Sequence, residues 1–255
     1  MNKRLIGAAV GLMLVALAVV SSPIVLSQSE PTSAVYTFVS QFQIPRANWA
    51  QYSGDTEKTF VPIAQKLMAD GTIVSWSTFE QVVHTPDGYT HGSAWSSNTI
   101  SGLMKVLDEV RKAGPQPGQI AAIKHEDYLM QTTMYRAGSG TPAYLRVVCS
   151  NAKPEKPSEY AASLKKFLVP TFDEQIKKGA ATYYGLDVQY VNNAAPSTQC
   201  LVINYPNAEG MDKWAAAINA TLGKMSPAER DEFANTTVTD SRRDIMARVT
   251  HAGHK

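Results

Sequence analysis

Phe60-Val61-Pro62 and Leu168-Val169-Pro170 lie 108 positions apart. Superposing the two triplets keeps the chain in register with itself, without a gap, for about seventy residues, the span of a small domain. Identities recur at Tyr36 and Tyr144, Val39 and Val147, Tyr52 and Tyr160, Lys58 and Lys166, Gly71 and Gly179, and Gln81 and Gln189. They continue at Val83 and Val191, Thr90 and Thr198, Gly102 and Gly210, and Lys105 and Lys213, while Trp76 answers Tyr184 and Leu103 answers Met211 by type. Self-similarity at a fixed period is the mark of repeated architecture, so the chain reads as a tandem duplication. Ala137-Gly138-Ser139-Gly140-Thr141-Pro142 is a run of turn formers at the join. It divides the chain into a first unit over 28–140 and a second over 141–255.

Each unit reads through one order of elements. Residues 35–42 and 143–149 are rich in β-branched and aromatic side chains and open the units as strands. Helical regions follow over 46–69 and 158–178, ending at Gly71 and Gly179, the residue type favoured just past a helix. Pro62 and Pro170 fall inside these regions, so each helix either kinks or restarts there. Second strands over 72–84 and 180–192 follow, and Thr85-Pro86-Asp87-Gly88 then turns the first unit into a third strand over 89–96. An amphipathic helix over 99–113 shows Ile100, Leu103, Met104, Leu107 and Val110 on one side, with Asn98 as its expected cap. Closing strands are expected over 128–135 and 244–249, and Ser226-Pro227-Ala228-Glu229 announces an extra helix in the second unit by its capping box.

Strand, helix, hairpin, helix, strand is the split βαβ order of a ferredoxin-like unit. Two such α+β units, each covered by helices on one sheet face, leave two bare sheet faces that bury each other. On this element order and duplication the chain resembles the dimeric α/β-barrel superfamily, with the two ferredoxin-like repeats fused as an intramolecular pair. The resemblance implies antiparallel sheets joined into a barrel. Members of that superfamily include cofactor-free monooxygenases, haem-binding enzymes, isomerases and proteins without known activity, so the fold fixes little chemistry. It also implies that the first and third strands of a unit are antiparallel neighbours. Cys149, ending one, and Cys200, beginning the other, then meet at the same end of a sheet, where a disulfide is expected; two buried free thiols are the alternative.

The N-terminus explains the charge balance. The chain has 255 residues, with 24 Lys and Arg against 22 Asp and Glu. Lys3 and Arg4 precede an uncharged apolar run over 5–20 and a small-residue exit over 21–27, the pattern of a secretory signal cleaved before Gln28. An uncleaved anchor is the alternative, since 5–26 nearly spans a bilayer. Without residues 1–27 the positive and negative charges are equal, so the formal +2 belongs to the export signal. A neutral chain has no basic field for a phosphate backbone, and nucleic acid is not an expected partner. The expected location is secreted or periplasmic, with membrane contact only through an uncleaved signal, and export to an oxidising space suits a disulfide.

Chemistry concentrates on the first hairpin. Strand alternation puts Trp76, Thr78, Glu80, Val82 and His84 on one face. A turn centred on Asp87-Gly88 sets His84 opposite His91, whereas a loop over 85–88 sets Val82 there. Either register places His84, His91, Glu80, Tyr89, Ser93 and Trp95 on one face. His84 and His91 with Glu80 can exchange protons with a substrate, while Trp76, Tyr89, Ser93 and Trp95 can line a small-molecule pocket. Two imidazoles and a carboxylate also suit a divalent metal, although no metal site is assigned. The matching second-unit positions are Val188, Asn192 and Gln199, so such a site is confined to one half. Packing of the tryptophans and solvation of the histidines is the structural alternative. His251 and His254, in the final His-Ala-Gly-His-Lys, read as a frayed tail. Three functions are open: a small-molecule-binding protein, a monooxygenase- or isomerase-like enzyme, and a structural or interaction module. The sequence names no cofactor and no oligomeric state beyond the internal pair.

Overall fold

A computed structural model describes residues 34–156, 158–191 and 197–255. The export signal read over 1–27, and Asn192, lie outside them. The first unit runs β1 (Val35–Gln43), α1 (Trp49–Asp55), α2 (Val61–Ala69), β2 (Ser75–Val83), β3 (His91–Ser97), α3 (Ile100–Ala113), the short α4 (Pro117–Ile120) and β4 (Lys124–Ala137). The second runs β5 (Tyr144–Asn151), α5 (Glu159–Phe167), α6 (Val169–Lys177), β6 (Tyr183–Gln189), β7 (Thr198–Tyr205), α7 (Ala208–Lys224), α8 (Pro227–Ala234) and β8 (Arg243–His254).

The strands close into one antiparallel barrel in the order β1-β3-β2-β8-β5-β7-β6-β4. Each unit contributes four consecutive strands, β4-β1-β3-β2 and β8-β5-β7-β6, and two seams, β2–β8 and β4–β6, join them. Alternation along the strands divides the side chains between two environments. Phe79, Leu145 and Ala247 fill the barrel with Val39, Val147, Val202 and Val249 around them. Outside, Phe38, Trp76 and Trp95 pack under α2 and α3 with Phe60, Leu67, Leu103 and Val106. Tyr184, Ile203 and Tyr205 pack likewise in the second unit with Leu164, Phe172 and Trp214.

The repeat identities acquire physical reasons. Pro62 and Pro170 sit in the first turns of α2 and α6; in the second unit the helix breaks at Leu168 and restarts, whereas in the first a π-helical stretch over Thr56–Phe60 joins α1 to α2 and accommodates the proline. Gly71 and Gly179 follow those helices with φ of +84° and +70°, a backbone conformation that glycine adopts without penalty. Gly102 and Gly210, in the first turns of α3 and α7, press against the carbonyls of Thr72 and Ala180. A Cβ on Gly102 would lie 2.7 Å from the Thr72 oxygen. The capping box is formed: Ser226 Oγ accepts from the Glu229 amide, and Glu229 Oε2 accepts from the Ser226 amide at 2.8 Å.

Three expectations are corrected. Thr99, not Asn98, caps α3, its hydroxyl accepting from the Gly102 amide at 3.1 Å. The closing strands are longer than expected because each serves two partners at different heights. β4 pairs with β1 along 124–132 and with β6 along 130–137. His251 and His254 do not fray: β8 pairs with β5 at its start and with β2 up to its last residue, bulging at Thr250 to hold register. Cys149 and Cys200 are direct partners across β5 and β7 and are joined as a disulfide.

Candidate functional site

The β2–β3 ladder sets Trp76 opposite Trp95, Thr78 opposite Ser93 and Glu80 opposite His91. The expected partners of His91, His84 or Val82, are therefore both displaced. The loop between the strands is wider than the turn residues suggest because Thr90 is held inward. Its hydroxyl accepts from the Ile44 amide at 2.9 Å, and its amide donates to the Phe42 carbonyl. Tyr89 leaves the common face altogether. It precedes the first ladder residue and turns to the barrel mouth, where its hydroxyl donates to Glu126 with Lys124 4.5 Å above the ring.

His91 is the centre of what remains. Only 2% exposed, it lies between the sheet and α1, with the Tyr52 ring 4.8 Å and the Trp49 ring 5.3 Å from its own. Burial, with a smaller contribution from the nearby His84, pulls its pKa down to about 4, so the imidazole is neutral near pH 7. Nδ1 is 2.9 Å from the Thr90 hydroxyl, whose proton points to the Phe42 carbonyl. We therefore assign the proton of that contact to His91 Nδ1. Nε2 is then an acceptor, and it is buried without a partner among the described residues. Trp49 closes the approach: its indole N–H donates to the Ile44 carbonyl at 2.9 Å and Arg46 stacks over its ring. His84 is exposed and meets the Trp49 edge from the loop.

Trp76 and Trp95 are 5% and 3% exposed and belong to the core under α2 and α3. Trp95 stacks on Phe38, and the Trp76 indole N–H is buried without a partner among the described residues. Ser93 is buried beside Thr78. The structure thus keeps His91, Glu80 and Ser93 together on one face, and places the two tryptophans further along it in packing.

β8 extends this face with residues from the other unit. Arg248 stands opposite Glu80, and His251 stands opposite Thr78 with its Nδ1 3.3 Å from the threonine hydroxyl. Neither Arg248 nor His251 could be placed from the sequence, because the seam pairs residues about 170 positions apart. The roles of Trp49 and Tyr52 around His91 left one faint signal, the Tyr52–Tyr160 identity. No group of three His, Cys, Asp or Glu side chains gathers as a metal site among the described residues.

The sequence matches no protein-family profile and no curated protein. Solved structures supply the likeness. One, from Fusobacterium nucleatum and named as a monooxygenase, superposes with a TM-score of 0.66 at 13% identity, over 88% of this chain and 95% of its own. A second, from Lactobacillus acidophilus and also named as a monooxygenase, gives 0.61 at 10% identity over 87% and 96%. An anthrone oxidase-like protein gives 0.55 at 8% identity over 88% and 94%. With the closed barrel, these place the chain in the dimeric α/β-barrel fold. At such identities the likeness is one of fold alone.

Proposed function

We propose that this protein is an exported small-molecule-binding protein whose site lies between the first sheet and α1, and that its ligand is a small aromatic molecule bearing a hydroxyl. The observation that carries this is the unpartnered Nε2 of His91 inside an aromatic enclosure, since a buried acceptor without a donor costs about 1–3 kcal/mol unless a ligand supplies one. Trp49 and Tyr52 supply flat apolar walls, and Glu80 and Arg248 line the sheet beyond His91. Apolar walls with a few placed polar groups are the usual make-up of such sites. Entry requires Trp49 to swing aside.

The low basicity of His91 favours binding over proton abstraction. A phenol ionises at about 10, and an imidazole held at about 4 accepts its hydrogen bond without taking its proton. The second reading is an acid–base enzyme of the monooxygenase kind, supported by the names of the structural neighbours.

Titration with a panel of phenols, naphthols and anthrones, followed by tryptophan fluorescence, tests the site. Binding is expected to perturb Trp49 and to weaken about tenfold or more in His91→Gln, which puts a glutamine where the second unit has Gln199. Equal affinity in wild type and variant, or no ligand in the panel, would overturn the reading. Oxygen uptake with any ligand found selects the enzyme instead. Export is checked by the mass of the mature chain, expected to begin at Gln28.

A further inference from the structure

The two units differ most inside the barrel. At the repeat-equivalent positions where the first unit has Phe79 over Gly92, the second has Asp187 beside Cys200. A single row crosses the inner faces of five strands: Thr132 on β4, Asp187 on β6, Cys200 on β7, Cys149 on β5 and Arg243 on β8, each directly opposite the next. Direct neighbours in such rows have Cβ atoms about 4.5–5.5 Å apart. The disulfide thus has an acidic residue opposite Cys200 and a basic residue opposite Cys149.

The two ends of the disulfide are not equivalent. Cys200 and Asp187 are 8% and 7% exposed, whereas Cys149 is half-buried and Arg243 exposed at the barrel mouth. Thr132 Oγ1 donates to Asp187 Oδ1 at 2.7 Å. Burial pushes the Asp187 carboxyl up to about 6 against the opposing effect of that bond, so the group carries a proton in mildly acidic solution. Packing alone would favour an aliphatic side chain at this position, because a carboxylate there forfeits its solvation. A proton-bearing acid beside a buried sulfur has a chemical use, since a thiolate left at Cys200 is as poorly solvated as the carboxylate.

We propose that Cys149–Cys200 is an exchangeable disulfide that reacts with an external dithiol, with Asp187 delivering the proton to the Cys200 sulfur. A thiolate of the dithiol attacks Sγ of Cys149, the less buried of the two residues; the new S–S bond forms as the Cys149–Cys200 bond breaks, and its electron pair leaves on Cys200 Sγ. Asp187 transfers its proton to that sulfur and becomes a carboxylate. The second thiol of the reagent, after losing its proton to solvent, then attacks its own sulfur in the mixed disulfide. The reagent departs as a cyclic disulfide and Cys149 leaves as a thiolate, favoured by Arg243. Solvent reprotonates Asp187. The dithiol loses two electrons and the protein disulfide gains them. In reverse, the Cys149 thiolate is the nucleophile and Asp187 the base for Cys200.

Other charged and titratable groups face this row. On inner faces they are Tyr183 of β6, whose hydroxyl lies over Gly185, Tyr135, Tyr128, Glu126 and Lys124 of β4, and Arg243 and His254 of β8, with Tyr89 at the mouth beside Glu126. The inner-face positions of β1, β2 and β3 hold no ionisable side chain, being Thr37, Val39 and Gln41, Ser75, Ser77 and Phe79, and Gly92, Ala94 and Ser96. Glu126 is tied to Tyr89 and Tyr128. Asp187 is therefore the carboxyl set directly against the disulfide.

The test is reduction of the oxidised full-length protein by dithiothreitol, read as free thiols by alkylation and mass, with each rate divided by the reagent's thiolate fraction. The normalised rate is expected to fall about a hundredfold between pH 5 and 8 in wild type and to be flat in Asp187→Asn. In Thr132→Val, which removes the bond favouring the carboxylate, the inflection is expected to move to higher pH. A bulky monothiol is expected to be captured on Cys149. A flat wild-type profile, an inflection surviving in Asp187→Asn, or capture on Cys200 overturns the proposal. If Asp187→Asn fails to fold, an unmoved inflection in Thr132→Val does the same.

Discussion

Among the described residues, His91 and Asp187 are buried groups that titrate below neutral pH and whose ionisation opposes folding, and they respond to acid with opposite sign. The folded-state value of His91 lies below its unfolded value, so its contribution is complete above about 6.5 and is lost as pH falls through about 4. The folded-state value of Asp187 lies above its unfolded one, so its contribution is complete below about 3.8 and is lost as pH rises through about 6. Each is worth about 3 kcal/mol as an order of magnitude, and over the shared window the two slopes offset each other. Urea unfolding at pH 7 and pH 4.5 separates them. Relative to wild type, His91→Gln is expected to gain stability on acidification and Asp187→Asn to lose it. Variants that both keep the wild-type pH dependence would show that neither group is buried as described. Neither effect was visible beforehand: His91 was legible as a candidate because strand alternation set it on one face with Glu80 of the neighbouring strand, but its burial depends on α1 folding back over it. Asp187 drew no notice because an acid in a strand ordinarily faces water.

At the scale of the element, the glycines that repeat across the units carry the clearest lesson. Gly102 and Gly210 stand inside helices, where alanine is the better helix former by about 1 kcal/mol. Their positions are explained by the carbonyls of Thr72 and Ala180, which approach too closely to admit a Cβ. Gly102→Ala and Gly210→Ala are each expected to destabilise by about 1–3 kcal/mol, against propensity. Thermal melts giving a more stable variant would refute the close packing of these helix starts. Helix positions, the prolines that perturb them and the capping box were legible because each is a local device. The cap of α3 was misplaced by one residue because Asn98 and Thr99 are both good caps, and only the direction in which the chain leaves β3 selects Thr99. The true extents of β4 and β8 were hidden because half of each strand is defined by a partner in the other unit.

For the whole molecule, the seams decide what is stable alone. A first unit ending at residue 140 would expose β2, which needs β8, and β4, which needs β6. Unpaired strand edges recruit partners. The isolated first unit is expected to form a dimer, with two copies rebuilding an eight-stranded barrel, or to aggregate. Sedimentation of a folded, stable monomer would show that the barrel is not the unit of stability.

What the sequence determined by itself is the pair of units with matching element order and the α+β class, because periodicity, turn residues and repeat register are written along the chain. What only the tertiary structure decided is which residues share an environment. It took the closing of the barrel to set Arg248 against Glu80 and His251 against Thr78, and the pairing of β5 with β7 to join Cys149 to the Cys200 that faces Asp187. The physical reason is the same in each case: strand pairing across the seams and inside the barrel joins residues distant in sequence. One residue of register decides whether a side chain meets the helices or the barrel interior.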